Sequence, residues 1–260
     1  MATPSECLRA TGRLAGFLVF AAAACLDFLG RGDWRSVERR SRWTHRWAHA
    51  MAWILGLEVR AEGAPAGHAV IVSNHVSYLD IVVHAHRQPV VFVSKAEVRW
   101  WPVLGALAAC GGSIFIDRDR RADVARVNAL MRGIVGSGVP VVFFPEGTSG
   151  NGREVLPFRP ALFAVAAAEP WPVVPMWVGY ELERGDVAGE VCYWGEMTFL
   201  PHFLNLLTKR RIVAHLRSGA PLPPAADRKQ LAQAAHQAVS GLQRAASAPV
   251  PGAAVGSPDL

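Results

Sequence analysis

Five short runs rich in Val and Ile, at 69–73, 90–93, 113–116, 139–144 and 173–178, recur along this chain with helix-length stretches between them. Each run is bounded by Gly, Pro or polar residues, as strands are. The stretches at about 77–87, 102–109, 122–136 and 160–168 predict helices. In the third, Val124, Val127, Met131 and Val135 fall at helical spacing, with Arg and Asp on the other face. Parallel strands need crossovers, and helices supply them. The alternation therefore predicts an α/β fold with a mostly parallel central sheet flanked by helices. Runs at 191–194 and 212–216 are expected to extend the sheet, and 225–246 reads as a terminal amphipathic helix.

The segment before residue 60 follows different rules. Residues 14–26, LAGFLVFAAAACL, form an apolar run between Arg9 and Arg13 on one side and Arg31 and Arg35 on the other. Asp27 ends it short of the ~20 residues that cross a bilayer. A lipoprotein cleavage box is disfavoured because Ala22, three before Cys25, is not a large aliphatic residue. A second apolar stretch, 47–57, follows the basic segment RSVERRSRWTHRW. Together they predict an N-terminal hydrophobic helical pair in or dipping into a membrane interface, with Trp34, Trp43, Trp47 and Trp53 at head-group level. The organisation expected is 1–60 for membrane-associating helices, 61–246 for the α/β domain with its C-terminal helix, and 247–260 for a flexible tail. A net charge of +6 favours anionic partners, and the basic residues favour the cytoplasmic face of the inner membrane. The four scattered cysteines, with no C-x-x-C pair, argue against disulfides or a structural zinc and for a reducing compartment.

Three stretches carry candidate chemistry. In IVSNHVSYLD an apolar strand runs into Asn74 and His75, with Asp80 five positions on. Residues five apart on a helix are ~140° out of phase, so the pair meets only if His75 lies in the turn and Asp80 in the first helical turn. Ser77-x-x-Asp80 resembles a capping box that would start a helix at about Tyr78. Two roles then fit. Asp80 orients His75 as a general base, or Asp80 caps the helix and His75 satisfies the turn. The second stretch, VVFFPEGTSGNG, ends a buried strand at Pro145 and exposes Glu146, Gly147 and Thr148, amides and a hydroxyl that suit a polar head group. It lacks a Walker lysine and fails the G-x-S-x-G elbow at its last position. In the third, GGSIFIDRDRR, a strand delivers Asp117 and Arg118 to its end, where an arginine can pair with a phosphate.

In this order the motifs Asn74-His75-x4-Asp80, Gly112-x-x-Phe115-Ile116-Asp117-Arg118, Phe144-Pro145-Glu146-Gly147-Thr148 and Pro172-Val173-Val174-Pro175 resemble the glycerolipid acyltransferase family, its lysophosphatidate acyltransferase branch in particular. The likeness spans roughly residues 68–200. It implies an O-acyltransferase in which His75 deprotonates an acceptor hydroxyl, Asp80 orients His75, and Arg118, Glu146, Gly147, Thr148, Lys95 and Pro175 form the substrate site. It implies no bound cofactor or metal. The co-substrate would be an acyl thioester of coenzyme A or acyl carrier protein, and the acceptor a lysolipid. Members that form phosphatidic acid often carry an arginine after the threonine, where this chain has Ser149-Gly150-Asn151-Gly152. The continuation to Val155-Leu156-Pro157-Phe158 resembles acyltransferases that finish ornithine lipids. The expected acceptor is 1-acylglycerol-3-phosphate, with lyso-ornithine lipid as the rival.

Two other classes weigh less. A metal hydrolase would use His75, Asp80, His84 and His86, but His84 and His86 two apart on a helix point ~200° apart. A basic, Trp-rich binding module without catalysis would favour membrane over nucleic acid, because the charge sits beside apolar segments.

Overall fold

A computed structural model of the chain describes residues 3–31, 35–117, 120–223, 225 and 227–247. Two long helices open it, α1 (Pro4–Arg31) and α2 (Val37–Leu55). Then follow β1 (Leu57–Glu62), β2 (Val70–Ser73), α3 (Leu79–Arg87), β3 (Val91–Lys95), a 3₁₀ turn (Ala96–Trp100), α4 (Leu104–Cys110) and β4 (Ile114–Ile116). The second half holds α5 (Arg121–Gly136), β5 (Val141–Phe143), a 3₁₀ turn (Pro160–Leu162), α6 (Phe163–Ala168), β6 (Val173–Leu182), α7 (Val187–Glu190), α8 (Phe199–Thr208), β7 (Ile212–Ser218) and α9 (Arg228–Ser247).

The described strands form one seven-stranded sheet in the order β1-β7-β6-β2-β5-β3-β4. Among them β6 and β7 run antiparallel and every other pair parallel. The central strands are buried along their length, as a sheet covered on both faces requires. The two-residue period sorts their side chains. Ile71, Phe92, Val142 and Val174 face one layer with Leu55, Leu79 and Leu206 of α2, α3 and α8. Val70, Val91, Val141 and Val173 face the other, with Met131 of α5, Phe163 of α6 and Leu231 of α9. This is the α/β architecture that the alternation predicts. The run at 191–194 is a correction, for it forms no strand. Both sides of β6 are already paired, with β2 and β7, so this segment folds over the sheet's end and Tyr193 N–H bonds to Val76 O at 2.8 Å.

The N-terminal helices pack on the sheet's first layer. Helix α1 is longer than its apolar run, 28 residues, and is long and apolar enough to cross a membrane by length and composition. It turns Phe17, Phe20, Ala21 and Ala24 inward, and leaves Leu8, Leu18, Val19, Leu26 and Leu29 exposed along a stripe ~100° wide. Asp27 is no interruption. It accepts hydrogen bonds from Arg31 at 2.8 Å, from Trp47 at 2.9 Å and from Arg46, tying α1 to α2. Arginines fasten both helices to the body. Arg9 donates to Thr208 O at 2.6 Å, and Arg13 donates to the carbonyls of Leu207, Lys209 and Arg210, at the carbonyl end of α8. Arg40 does the same for α4 through Cys110 O, at 2.9 Å, and Ala109 O. These are the groups a helix leaves unpaired, where a cation also meets the negative end of its dipole. Of the tryptophans expected at head-group level, Trp53 is 84% exposed but Trp43 is buried within the protein. Trp34 and residues 248–260 of the expected tail lie outside the described residues, Ser247 is the last residue of α9, and the expected boundary at residue 60 falls within β1.

Candidate active site

Three strands end side by side, β2, β5 and β3, and the chain leaving each contributes to one site, the usual place for a ligand in an open parallel sheet. The first step past β2 is fixed by Asn74. Its amide donates to Val178 O and accepts from Val178 N–H, both at 2.8 Å, so a side chain completes the ladder that the backbone abandons. The turn that follows brings His75 and Asp80 together, with Nδ1 2.7 Å from Oδ2. The same Oδ2 accepts from Val76 N–H at 2.8 Å and Ser77 N–H at 3.0 Å. Only half of the expected capping box forms. Asp80 reaches back to Ser77 N–H, but Ser77 Oγ meets Leu79 N–H, at 3.4 Å, and the helix starts at Leu79. Tyr180, from β6, donates to the other carboxylate oxygen at 2.6 Å. Asp80 is fully buried and His75 keeps 24% of its side chain exposed. The His75 ring stacks on Phe144, with centroids 4.2 Å apart and planes 18° from parallel. With Nδ1 engaged by the carboxylate, Nε2 is the nitrogen left for a substrate.

His75 opens onto a cavity of about 360 Å³, within the range of ~300–1,000 Å³ that holds small ligands. His75, Lys95, Gly147, Thr148 and Ser149 line one part of its wall, and Thr44, Tyr78, Ser94, Ser113 and Tyr193 add further polar groups. The rest is mostly apolar, with Phe17 and Phe20 of α1, Trp47 and Met51 of α2, Val82 of α3, Leu107 of α4 and Phe203 of α8 beside Phe92 and Val93 of β3. A hydrogen-bonding end beside a hydrocarbon interior suits an amphiphile whose reacting group lies near the histidine.

The other expected site residues separate into groups. Gly147, at φ +83°, turns the chain after β5 so that it and Thr148 reach the cavity. Lys95 ends β3 on the cavity wall, exposed and 3.2 Å from Glu97. Glu146 is buried behind the wall instead, and does not line the cavity. Burial pushes its carboxyl up to about 8 against the lowering effect of the His75 and Leu156 backbone amides, and its Oε1 has no hydrogen-bond partner among the described residues. Pro175 sits within β6, opposite Val72 of β2 and off the cavity. Arg118 lies outside the described residues. His84 and His86 diverge. His84 is buried near the dyad and burial holds it at about 4, whereas His86 lies against His49 of α2, centroids 3.9 Å apart and rings tilted by 46°. Among the described residues no cluster of three or more His, Cys, Asp or Glu could hold a metal ion.

Glu146 gives the first prediction. Its folded value lies above the ordinary 4.5, so the carboxyl favours the folded state in acid, and that contribution is lost as pH rises from 4.5 through about 8. Glu146→Gln should match the parent in thermal melts near about pH 4 and exceed its Tm by a few degrees at about pH 9.

Residues 56–179 match the family model described as "Acyltransferase". The chain is 37% identical over 163 residues to the lyso-ornithine lipid O-acyltransferase of Rhodobacter capsulatus, covering 61% of this chain and 59% of that protein. To the Brucella abortus protein of the same description it is 30% identical over 259 residues, 90% of this chain and 96% of the relative. A 1-acyl-sn-glycerol-3-phosphate acyltransferase from Neisseria gonorrhoeae is 34% identical over 150 residues, 54% of this chain and 59% of that one. Among solved structures, the 1-acyl-sn-glycerophosphate acyltransferase PlsC of Thermotoga maritima superposes with a TM-score of 0.71 at 18% identity, over 94% of this chain and 97% of its own, a likeness of fold.

Proposed function

The chain belongs to the acyltransferase family, and on that premise we propose that it esterifies the free hydroxyl of a lysolipid, lyso-ornithine lipid first, with a fatty acyl group from an acyl thioester. The observation that carries the reading is the His75–Asp80 pair opening on a largely apolar cavity that the helices α1 to α4 help to line. His75 Nε2 takes the hydroxyl proton while the oxygen attacks the thioester carbonyl carbon. The C–S bond then breaks, the ester forms, and the imidazolium returns its proton to the departing thiolate. Asp80 stabilises the imidazolium through Nδ1–H and holds the ring's tautomer. The acyl chain or the lysolipid chain occupies the hydrocarbon part of the cavity, and the donor is acyl-CoA or acyl carrier protein.

Two features favour lyso-ornithine lipid over 1-acylglycerol-3-phosphate, the acceptor that the motifs alone put first. The Rhodobacter and Brucella relatives carry the former acceptor in their descriptions. At position 149, where an arginine would meet a phosphate monoester, Ser149 donates its hydroxyl to Tyr193 O. Ser149→Arg is accordingly expected to raise kcat/KM for 1-acylglycerol-3-phosphate relative to lyso-ornithine lipid by about tenfold. The exposed apolar stripe of α1 and the basic face of α2 support attachment to the cytoplasmic side of the inner membrane, by shallow insertion. The reading is tested with membranes bearing the parent chain or His75→Ala. Labelled acyl-CoA and labelled acyl carrier protein are each offered with both acceptors. Transfer lost with His75 supports the mechanism, and the preferred acceptor decides the substrate. No transfer from either donor to either acceptor, with folded protein, overturns the assignment.

A further inference from the structure

Asp80 is fully buried, and four donors converge on its carboxyl group. Two are backbone amides of the turn and one is the catalytic imidazole. The fourth is the Tyr180 hydroxyl, which comes from a strand 100 residues away and takes Oδ1 to itself. Tyr180 is half-buried on β6, in register with Ala214 of β7, so the β6–β7 ladder fixes its height above the sheet. Burial and then the Asp80 charge push its phenol well above the ordinary range, so it remains a donor. It does not line the cavity and so does not reach a substrate there.

A carboxylate shared between two strong donors holds each less tightly than it would hold one alone. We infer that Tyr180 is a positioning residue for the transfer. By donating to Oδ1 it sets how strongly Asp80 pulls on the His75 Nδ1 proton, and hence the balance between His75 as a base toward the hydroxyl and as an acid toward the thiolate. The inference rests on the His75 role proposed above. Of the four donors, Tyr180 is the one that can be altered without disturbing the turn or the catalytic ring.

The neighbours leave this effect readable. His84 of α3 is held near 4 by burial, Cys192, in the segment after α7, is pushed up to about 12 by burial and by Asp80, and the Tyr78 phenol is raised by burial. None of these changes charge between pH 5 and 7.5. Glu146, beyond β5, lies at about 8 and bears on the alkaline side. His202, hydrogen-bonded to the Tyr78 hydroxyl, is lowered by burial, so the ring titration of His75 itself assigns the acid limb.

Tyr180→Phe removes the donor and keeps the ring. It is expected to move the acid limb of kcat/KM upward by about one pH unit and to lower kcat near neutrality by about tenfold, with KM changed less than about twofold. Incorporating 2,3-difluorotyrosine at position 180, a more acidic phenol and a stronger donor, should move the limb the other way. Each full-length variant is assayed in detergent micelles with acyl-CoA and lyso-ornithine lipid beside a thermal melt. The His75 ring is also titrated by NMR, its signal identified by its loss in His75→Gln. Opposite shifts in the two variants, in rate profile and in ring titration, support the inference. Should Tyr180→Phe not fold, the isosteric fluorinated chain decides between the outcomes by itself. An unmoved limb and ring titration in folded protein overturn the inference and leave Tyr180 a packing residue. The ring titration needs no acceptor, so a wrong substrate cannot pass for a failure of this inference. Full activity in His75→Ala would instead sink the His75 reading beneath it.

Discussion

His75→Ala should lower kcat by about 10²–10⁴-fold while the protein keeps its fold. The imidazole does little for stability. It stacks on Phe144, is a quarter exposed, and gives Asp80 one of four hydrogen bonds. Without it the carboxylate retains Val76 N–H, Ser77 N–H and the Tyr180 hydroxyl. The structural loss should therefore be about 1 kcal/mol, a few degrees in Tm. Initial rates under saturating acyl thioester, taken beside a melt of the same preparation, separate the two effects. A variant with more than about a tenth of the parent kcat would remove His75 as the base.

Asp80 inverts that balance between rate and stability. In Asp80→Ala, the buried amides of Val76 and Ser77 and the Tyr180 hydroxyl all lose their acceptor, and His75 loses its anchor. Each orphaned buried donor costs about 1–3 kcal/mol, partly relieved by water entering the gap. A net loss of about 3–5 kcal/mol is expected, which is about 10 °C in Tm for a chain of this size. Asp80→Asn keeps the shape but turns an amide NH₂ toward a donor and disfavours the required imidazole tautomer. Its kcat should fall by about 10³–10⁴-fold with a smaller loss of Tm. If Asp80→Ala melts with the parent, the carboxylate is not the anchor of the turn.

What the sequence shows of this site depends on how far apart the partners lie in the chain. His75 and Asp80 are five residues apart, and their meeting follows from one turn between a strand and a helix. Asn74 with Val178, and Asp80 with Tyr180, are pairs 104 and 100 residues apart that exist only because β2 and β6 are neighbours. No local pattern announces them. The strand of Tyr180 is legible from its Val-rich start, but its end, residues 179–182, lacks that signature and pairs with β7 all the same. Glu146 and Pro175 show the converse. Their motifs mark them, yet one carboxyl is buried against backbone amides and one ring is buried in the sheet. Helix α8 is marked only weakly, because residues 199–208 make fewer than three turns and Pro201 stands in the first of them, although His202, Asn205 and Thr208 fall on one side. The hydrocarbon part of the cavity is not legible, since it is assembled from residues of α1, α2, α3, α4, α8 and β3 that lie far apart in the chain.

The arginine clamps on α8 and α4 bear on what removing the N-terminal helix would do. An apolar N-terminal helix invites deletion, as though it were a tether. Here deletion would leave the end carbonyls of α8 without Arg9 and Arg13, and would strip Phe17 and Phe20 from the cavity wall. The truncated chain would lose an apolar outer face and keep a breached chamber. Recolouring the outward stripe keeps the chamber shut. Charged replacements at Leu18, Val19 and Leu26, all more than half exposed, alter the face that meets solvent and leave the inward face of α1 in place.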